Sequence, residues 1–173
     1  DEQRGFLFFD LILKGAGVPR SEATDAALRE LKAFHDVENT WDVVTDGAPA
    51  ILERVRRAGL KTVVVSNSNG RIKHLFERVG LLEYFDVVLD SQDEGVEKPD
   101  PRLFQIALER SGADAASTIH CGDLYEIDIV GARAAGLPAV LLDEADMYGH
   151  VTDCPRVRSL AEYADGLLSG QFD

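Results

Sequence analysis

Three short stretches carry residue types that could do chemistry together. Ser66-Asn67 follows the run Val63-Val64-Val65, Lys98 sits inside Glu97-Lys98-Pro99-Asp100-Pro101, and Asp123 and Asp128 bracket Leu124-Tyr125-Glu126-Ile127. A hydroxyl at the end of a buried strand, before a loop that opens into a helix, can bind an oxyanion with the help of nearby N–H groups. It can equally cap that helix. A lysine in a loop is usually solvated, but the two prolines around Asp100 fix φ and constrain where Lys98 points. A fixed ammonium would offset the charge on the oxygens of a phosphoryl group. The same stretch also reads as a proline-started helix. Asp123 and Asp128 straddle a strand-to-helix turn, where hard oxygens with an open side suit Mg²⁺, water and a substrate phosphate. Capping, including by Glu126, is the alternative, but it leaves the density of acids after Gly122 unexplained.

The elements that must position these residues follow from periodicity. Lys61–Val65, Phe85–Leu89, Thr118–Cys121 and Ala139–Leu142 are short β-branched or apolar runs of the kind buried on both faces of a sheet. Between them lie helical patterns, with further helices expected over residues 48–58, 71–79, 101–111 and about 127–135. Gly59, Gly80 and Gly112 are placed as helix terminators. Strand and helix alternate four times, which implies right-handed crossovers and a parallel sheet. Ligands bind at the carboxyl ends of such strands, and that is where Ser66, Lys98 and Asp123 fall. The first forty or so residues differ. They read as two helices joined by Gly15-Ala16-Gly17-Val18-Pro19, with Ser21 as an N-cap and Trp41–Asp46 as a linker.

Composition narrows the partners. The 173 residues hold 31 acidic and 18 basic side chains, a net charge of −13. So acidic a chain is repelled by nucleic-acid backbones and anionic membranes. No apolar run reaches the length of a membrane span, and no secretory signal is visible. Cys121 and Cys154 are too few for a disulfide scaffold and lack metal-site spacing. The expectation is a cytoplasmic α/β protein that binds neither nucleic acid nor membrane.

On these residues the chain resembles the haloacid dehalogenase-like hydrolase superfamily, in the subfamily whose helical cap is inserted after the first motif. Val63-Val64-Val65-Ser66-Asn67 is similar to its second motif, Glu97–Pro101 to its third, and Gly122-Asp123 through Asp128 to its fourth. Gly131-Ala132-Arg133-Ala134-Ala135-Gly136-Leu137 is similar to the helix that follows. The resemblance implies a three-layer, Rossmann-like α/β core with a parallel sheet over residues 46–173, and a partial helical cap with its linker over residues 1–45. It implies that Ser66 and the Asn67 N–H bind phosphoryl oxygens and that Lys98 bridges nucleophile and substrate. It further implies that Asp123 ligates Mg²⁺, with Asp128 ligating it or holding a metal-bound water. The expected activity is Mg²⁺-dependent hydrolysis of a small-molecule phosphate ester through an aspartyl-phosphate. Alternatives are a non-catalytic anion- or partner-binding protein, and a 2-haloacid dehalogenase, which the acidic metal loop disfavours.

The family's Asp-x-Asp first motif has no counterpart in the chain. Phe8-Phe9-Asp10-Leu11-Ile12 imitates it, but Ile12 stands where the second acid belongs, and the apolar spacing fits a helix. Asp10 is therefore read as helical and not as the nucleophile. The nucleophile strand, central in the family's sheet, is expected upstream of residue 1, and the 173 residues alone are expected to be inactive.

Overall fold

In a computed structural model the chain is described over residues 2–38 and 41–172, with side chains from residue 9 onward. It forms two compact units, Asp1–Val43 and Val44–Asp173. The first is a helical hairpin of α1 (Glu2–Gly15) and α2 (Glu22–Glu38). Ser21 caps α2 as its sequence predicts, its Oγ accepting from the Thr24 N–H at 3.2 Å. Leu28 is the buried side chain of α2. Asp10 lies within α1, 3.4 Å from Arg20 of the same hairpin. It is not at the end of a strand.

The second unit runs α3 (Ala48–Arg57), β1 (Val63–Ser66), α4 (Ile72–Arg78), β2 (Val87–Asp90), α5 (Ser91–Glu94), α6 (Pro101–Ser111), β3 (His120–Gly122), a π-helical turn (Tyr125–Ile129), α7 (Val130–Ala134), β4 (Ala139–Leu142), β5 (Arg156–Val157) and α8 (Leu160–Ser169). Every strand pairing is parallel. The β-branched run at β1 is explained by burial on both faces. Val63, Val65 and Leu89 pack on Leu103 and Ala107 of α6, whereas Val64 and Val88 pack on Ile72 and Leu75 of α4. With a side-chain period of two, this alternation sets α4 and α6 on opposite faces of β1–β2, giving helix, sheet and helix in three layers. A third cluster gathers Phe104 of α6, Ile129, Ala132 of α7 and Leu141 of β4. Among the described residues, no helix is long and apolar enough to cross a membrane.

The strands fall into two sheets, β1–β2 and β3–β4–β5. Among the described residues, nothing pairs with the second edge of β1 or of β3. Among the described residues the parallel pairing is therefore discontinuous, with β1–β2 and β3–β4–β5 not hydrogen-bonded to one another.

Two local outcomes differ from the sequence reading. The helix expected from Ile127 begins instead as the wide turn at Tyr125–Ile129 and becomes α-helical only at Val130. Wide π turns are frequent where a side chain must be re-aimed, and Asp128 is buried inside this one. The chain beyond Asp143, in which no element was expected, supplies β5 and α8. Their anchor is Asp143, a buried carboxylate that accepts from the N–H groups of Met147 (2.7 Å) and Tyr148 (3.1 Å) and from Arg156 Nη1 (2.8 Å). Burial pushes the Asp143 carboxyl up, but these donors outweigh it and hold it below the usual carboxylate range.

Gly131 is where α7 meets the turn before α6. A Cβ there would stand 2.9 Å from Phe104 Cε2 and 2.9 Å from Pro99 Cα. Alanine adds about 1 kcal/mol of helix propensity, while overpacking against backbone costs about 1–3 kcal/mol. Gly131→Ala is therefore expected to lower the urea midpoint. An unchanged or raised midpoint would show that the two segments can separate without loss.

Candidate functional site

The site is assembled from the carboxyl ends of β1, β2 and β3. Ser66 ends β1 and is paired in register with Asp90, which ends β2. Asp90 is buried and acts as a fastener: Oδ1 accepts from Gln92 N–H at 3.0 Å and Oδ2 from Ile72 N–H at 3.2 Å. The next residue, Ser91, accepts from Ser68 N–H at 3.1 Å through Oγ. The loop after Ser66 is thus held at both ends by the start of α5. Neither residue was singled out from the sequence. The signal was a polar pair directly after the apolar run Val87-Val88-Leu89.

Asn67 fixes the lysine loop. Its Oδ1 accepts from Lys98 N–H at 2.7 Å, and its Nδ2 donates to the Lys98 carbonyl at 2.9 Å. This two-point clamp satisfies both polar groups of one peptide residue, so the Lys98 backbone has little freedom. The expected use of Asn67 was its N–H; its side chain turns out to hold the lysine. The Lys98–Pro99 peptide bond is cis.

From that anchored backbone the Lys98 side chain reaches Asp128, Nζ to Oδ1 at 2.6 Å, with the two side chains 12% and 3% exposed. Asp128 Oδ2 accepts from Leu124 N–H at 2.9 Å. His120 of β3 packs edge-on against Phe104, ring centroids 4.9 Å apart. Its Nε2 is 3.7 Å from Asp128 Oδ1, an attraction and not a hydrogen bond. Burial pushes the Asp128 carboxyl up, but the His120 ring, the Lys98 ammonium and the Leu124 N–H hold it far below the usual carboxylate range. Gly122 makes the approach possible, since a Cβ there would overlap Asp128 Cβ and Cγ. Cys121 lies between His120 and Gly122 in sequence, and burial followed by the charges of Asp128 and Asp123 pushes its thiol up to about 12. A thiol held so far from its thiolate is unreactive.

The hydrogen bonds therefore link Asn67, Lys98, Asp128 and Leu124 directly, with Ser66 and Asp123 one residue away in the chain. Ser66 is half-buried, and among the described residues its Oγ has no hydrogen-bond partner. Asp123 is exposed, and among the described residues no donor claims its carboxylate. The oxygens of Asp128, by contrast, are both in use. A single exposed carboxylate, completed by water and a phosphate oxygen, is a donor set that Mg²⁺ accepts, and Asp123 is the residue that fits it. Among the described residues, no group of three or more His, Cys, Asp or Glu is gathered that could hold a metal by itself.

A family model described as haloacid dehalogenase-like hydrolase matches residues 7–136, and the chain belongs to that family. Among its relatives, the haloacid dehalogenase-like hydrolase domain-containing protein 3 of Bos taurus is 41% identical over 127 residues, 73% of this chain and 50% of that protein. A ribulose-1,5-bisphosphate 5-phosphatase of Halopiger xanaduensis is 36% identical over 100 residues, 57% of this chain and 42% of that protein. The chain thus spans about half the length of the curated relatives it matches. The crystal structure of a HAD phosphatase from Thermococcus onnurineus shares the fold, with a TM-score of 0.72, 23% identity, and coverage of 95% of this chain and 87% of that one.

Because the folded-state value of Asp128 is depressed, the stability it contributes is complete above about pH 4, the unperturbed range of an aspartate, and is lost as pH falls toward the depressed value. Urea unfolding from pH 7 downward should show this acid limb, and Asp128→Asn should flatten it. Parallel limbs for the two proteins would mean that the carboxylate is not held by charge.

Proposed function

We propose that this chain carries the phosphoryl-binding half of a Mg²⁺-dependent phosphatase that hydrolyses a small-molecule phosphate ester. The observation that supports this most is the lysine: an ammonium 12% exposed, clamped through its own peptide by Asn67 and aimed by Asp128. Such a charge is expensive to bury, and a purely structural pair gains little from a two-point backbone clamp. A site that must present a fixed positive charge to a transferring phosphoryl group gains directly. The unclaimed Ser66 hydroxyl at the end of β1 would bind a phosphoryl oxygen. Asp123 would hold Mg²⁺, which when bound offsets charge on the phosphate oxygens.

In this reading Asp128 sets the direction of Lys98. The carboxylate that accepts the phosphoryl group belongs on a strand seated between β1 and β3. Asp10, within α1 and beside Arg20, is not that group. Without such an acceptor the same geometry binds an anion and turns nothing over, which is the binding-only alternative.

Inorganic phosphate with Mg²⁺ tests the reading on the 173 residues themselves. Binding followed by calorimetry should weaken at least about tenfold in Lys98→Ala, since a charge-assisted contact is lost. Asp123→Asn should weaken Mg²⁺ binding, and Asp10→Asn should change neither. No Mg²⁺-dependent turnover of an aryl phosphate is expected from these residues, because a site without its covalent acceptor loses several powers of ten in rate. EDTA-sensitive turnover that disappears in Asp10→Asn would contradict the placement of the site.

A further inference from the structure

His120 Nε2 is buried, and among the described residues it has no hydrogen-bond partner. Buried polar atoms are nearly always satisfied, so an exception calls for a reason. The ring is held by its edge-on contact with Phe104, and Nε2 lies 3.7 Å from Asp128 Oδ1, the oxygen that Lys98 Nζ already occupies at 2.6 Å. Two nitrogens thus converge on one oxygen, and only Lys98 Nζ is within hydrogen-bond distance of it.

We infer that His120 is a positioning residue that takes over Asp128 when Lys98 turns to the phosphoryl group. This rests on the phosphatase reading above. In the free protein Lys98 neutralises Asp128. When phosphate arrives, the ammonium is drawn toward it, and Oδ1 of a carboxylate 3% exposed would be left with no donor. An abandoned buried acceptor carries its full desolvation penalty, which would oppose binding. A shift of well under one ångström would bring the His120 Nε2–H into hydrogen-bond range of Oδ1. Oδ2 keeps the Leu124 N–H throughout. No proton is transferred; one hydrogen bond replaces another. The lysine is thereby released to the substrate without stranding its partner.

The test uses the 173-residue chain, ¹⁵N-labelled at histidine rings, titrated with inorganic phosphate at saturating Mg²⁺, with calorimetry in parallel. In the free protein the His120 Nε2–H should resonate as an unbonded ring N–H. It should move downfield as phosphate saturates, with the same midpoint as the heat. His120→Leu should bind phosphate about tenfold more weakly, the loss expected for an unpaired buried acceptor. His120→Gln, whose amide N–H can reach the same oxygen, should recover most of the affinity, which a merely space-filling role would not predict. Phosphate binding with an unmoved His120 signal, or His120→Gln binding as weakly as His120→Leu, would overturn the inference and leave the phosphatase reading standing. Absence of phosphate binding by the unsubstituted chain would overturn both.

Discussion

The ion pair between Lys98 and Asp128 is the contact on which the site depends. Lys98 comes from the loop that leaves the β1–β2 sheet, and Asp128 from the turn that leaves β3 in the other sheet. No strand pairing joins these sheets among the described residues, so the pair is a polar tie across the interruption, beside the apolar one formed by Val65 against Phe104 and Leu141. Burying two charges is costly, and their attraction repays it only where the geometry is good and the remaining polar atoms are satisfied. Here both conditions hold: Asp128 Oδ2 has the Leu124 N–H, and the Lys98 peptide has Asn67.

The backbone is shaped to allow this pair. Gly122 lets Asp128 close on β3, and Gly131 lets α7 close on the Pro99 turn that carries the lysine. The π-helical turn aims Asp128 inward, and its outer side is tied down by Asp153, which accepts from the Tyr125 hydroxyl at 2.7 Å and from Arg133 Nη1 at 2.6 Å. These two donors outweigh the cost of desolvation and hold the Asp153 carboxyl below its ordinary range. The segment after β4 therefore braces the turn from outside, while Lys98 draws its carboxylate from inside.

Much of this was legible in the sequence where a local rule and a tertiary need agree. Val63–Val65 read as a doubly buried strand because alternate valines do face α6 and α4. Gly112 read as a terminator because it closes α6 with φ of 64°. The helical reading of Asp10 held because apolar spacing outweighed a short motif match. Ser66, Asn67 and Asp123 stood out as polar residues just after apolar strands, Lys98 because prolines constrain its loop, and Asp128 because it straddles a strand-to-helix turn with Asp123. What stayed hidden has no local pattern. The Asn67 side chain binds a residue 31 positions away, Asp90 looks like any helix cap, and the π turn has the composition of an α-helix. β5 is two residues long and exists because Asp143 captures Arg156, a partnership that periodicity does not announce.

A double-mutant cycle between Lys98 and Asp128 tests this account most directly, with Lys98→Met, Asp128→Asn and the double variant compared by urea unfolding at pH 7. Each single change leaves a buried polar group without its charged partner, so the double variant should be less destabilised than the sum of the singles. Contacting pairs of this kind couple by about 0.5–3 kcal/mol, and burial at 12% and 3% exposure places this pair toward the upper part of that range. Additive losses, equal to the sum within about 0.5 kcal/mol, would contradict the claim that this pair ties the two sheets together.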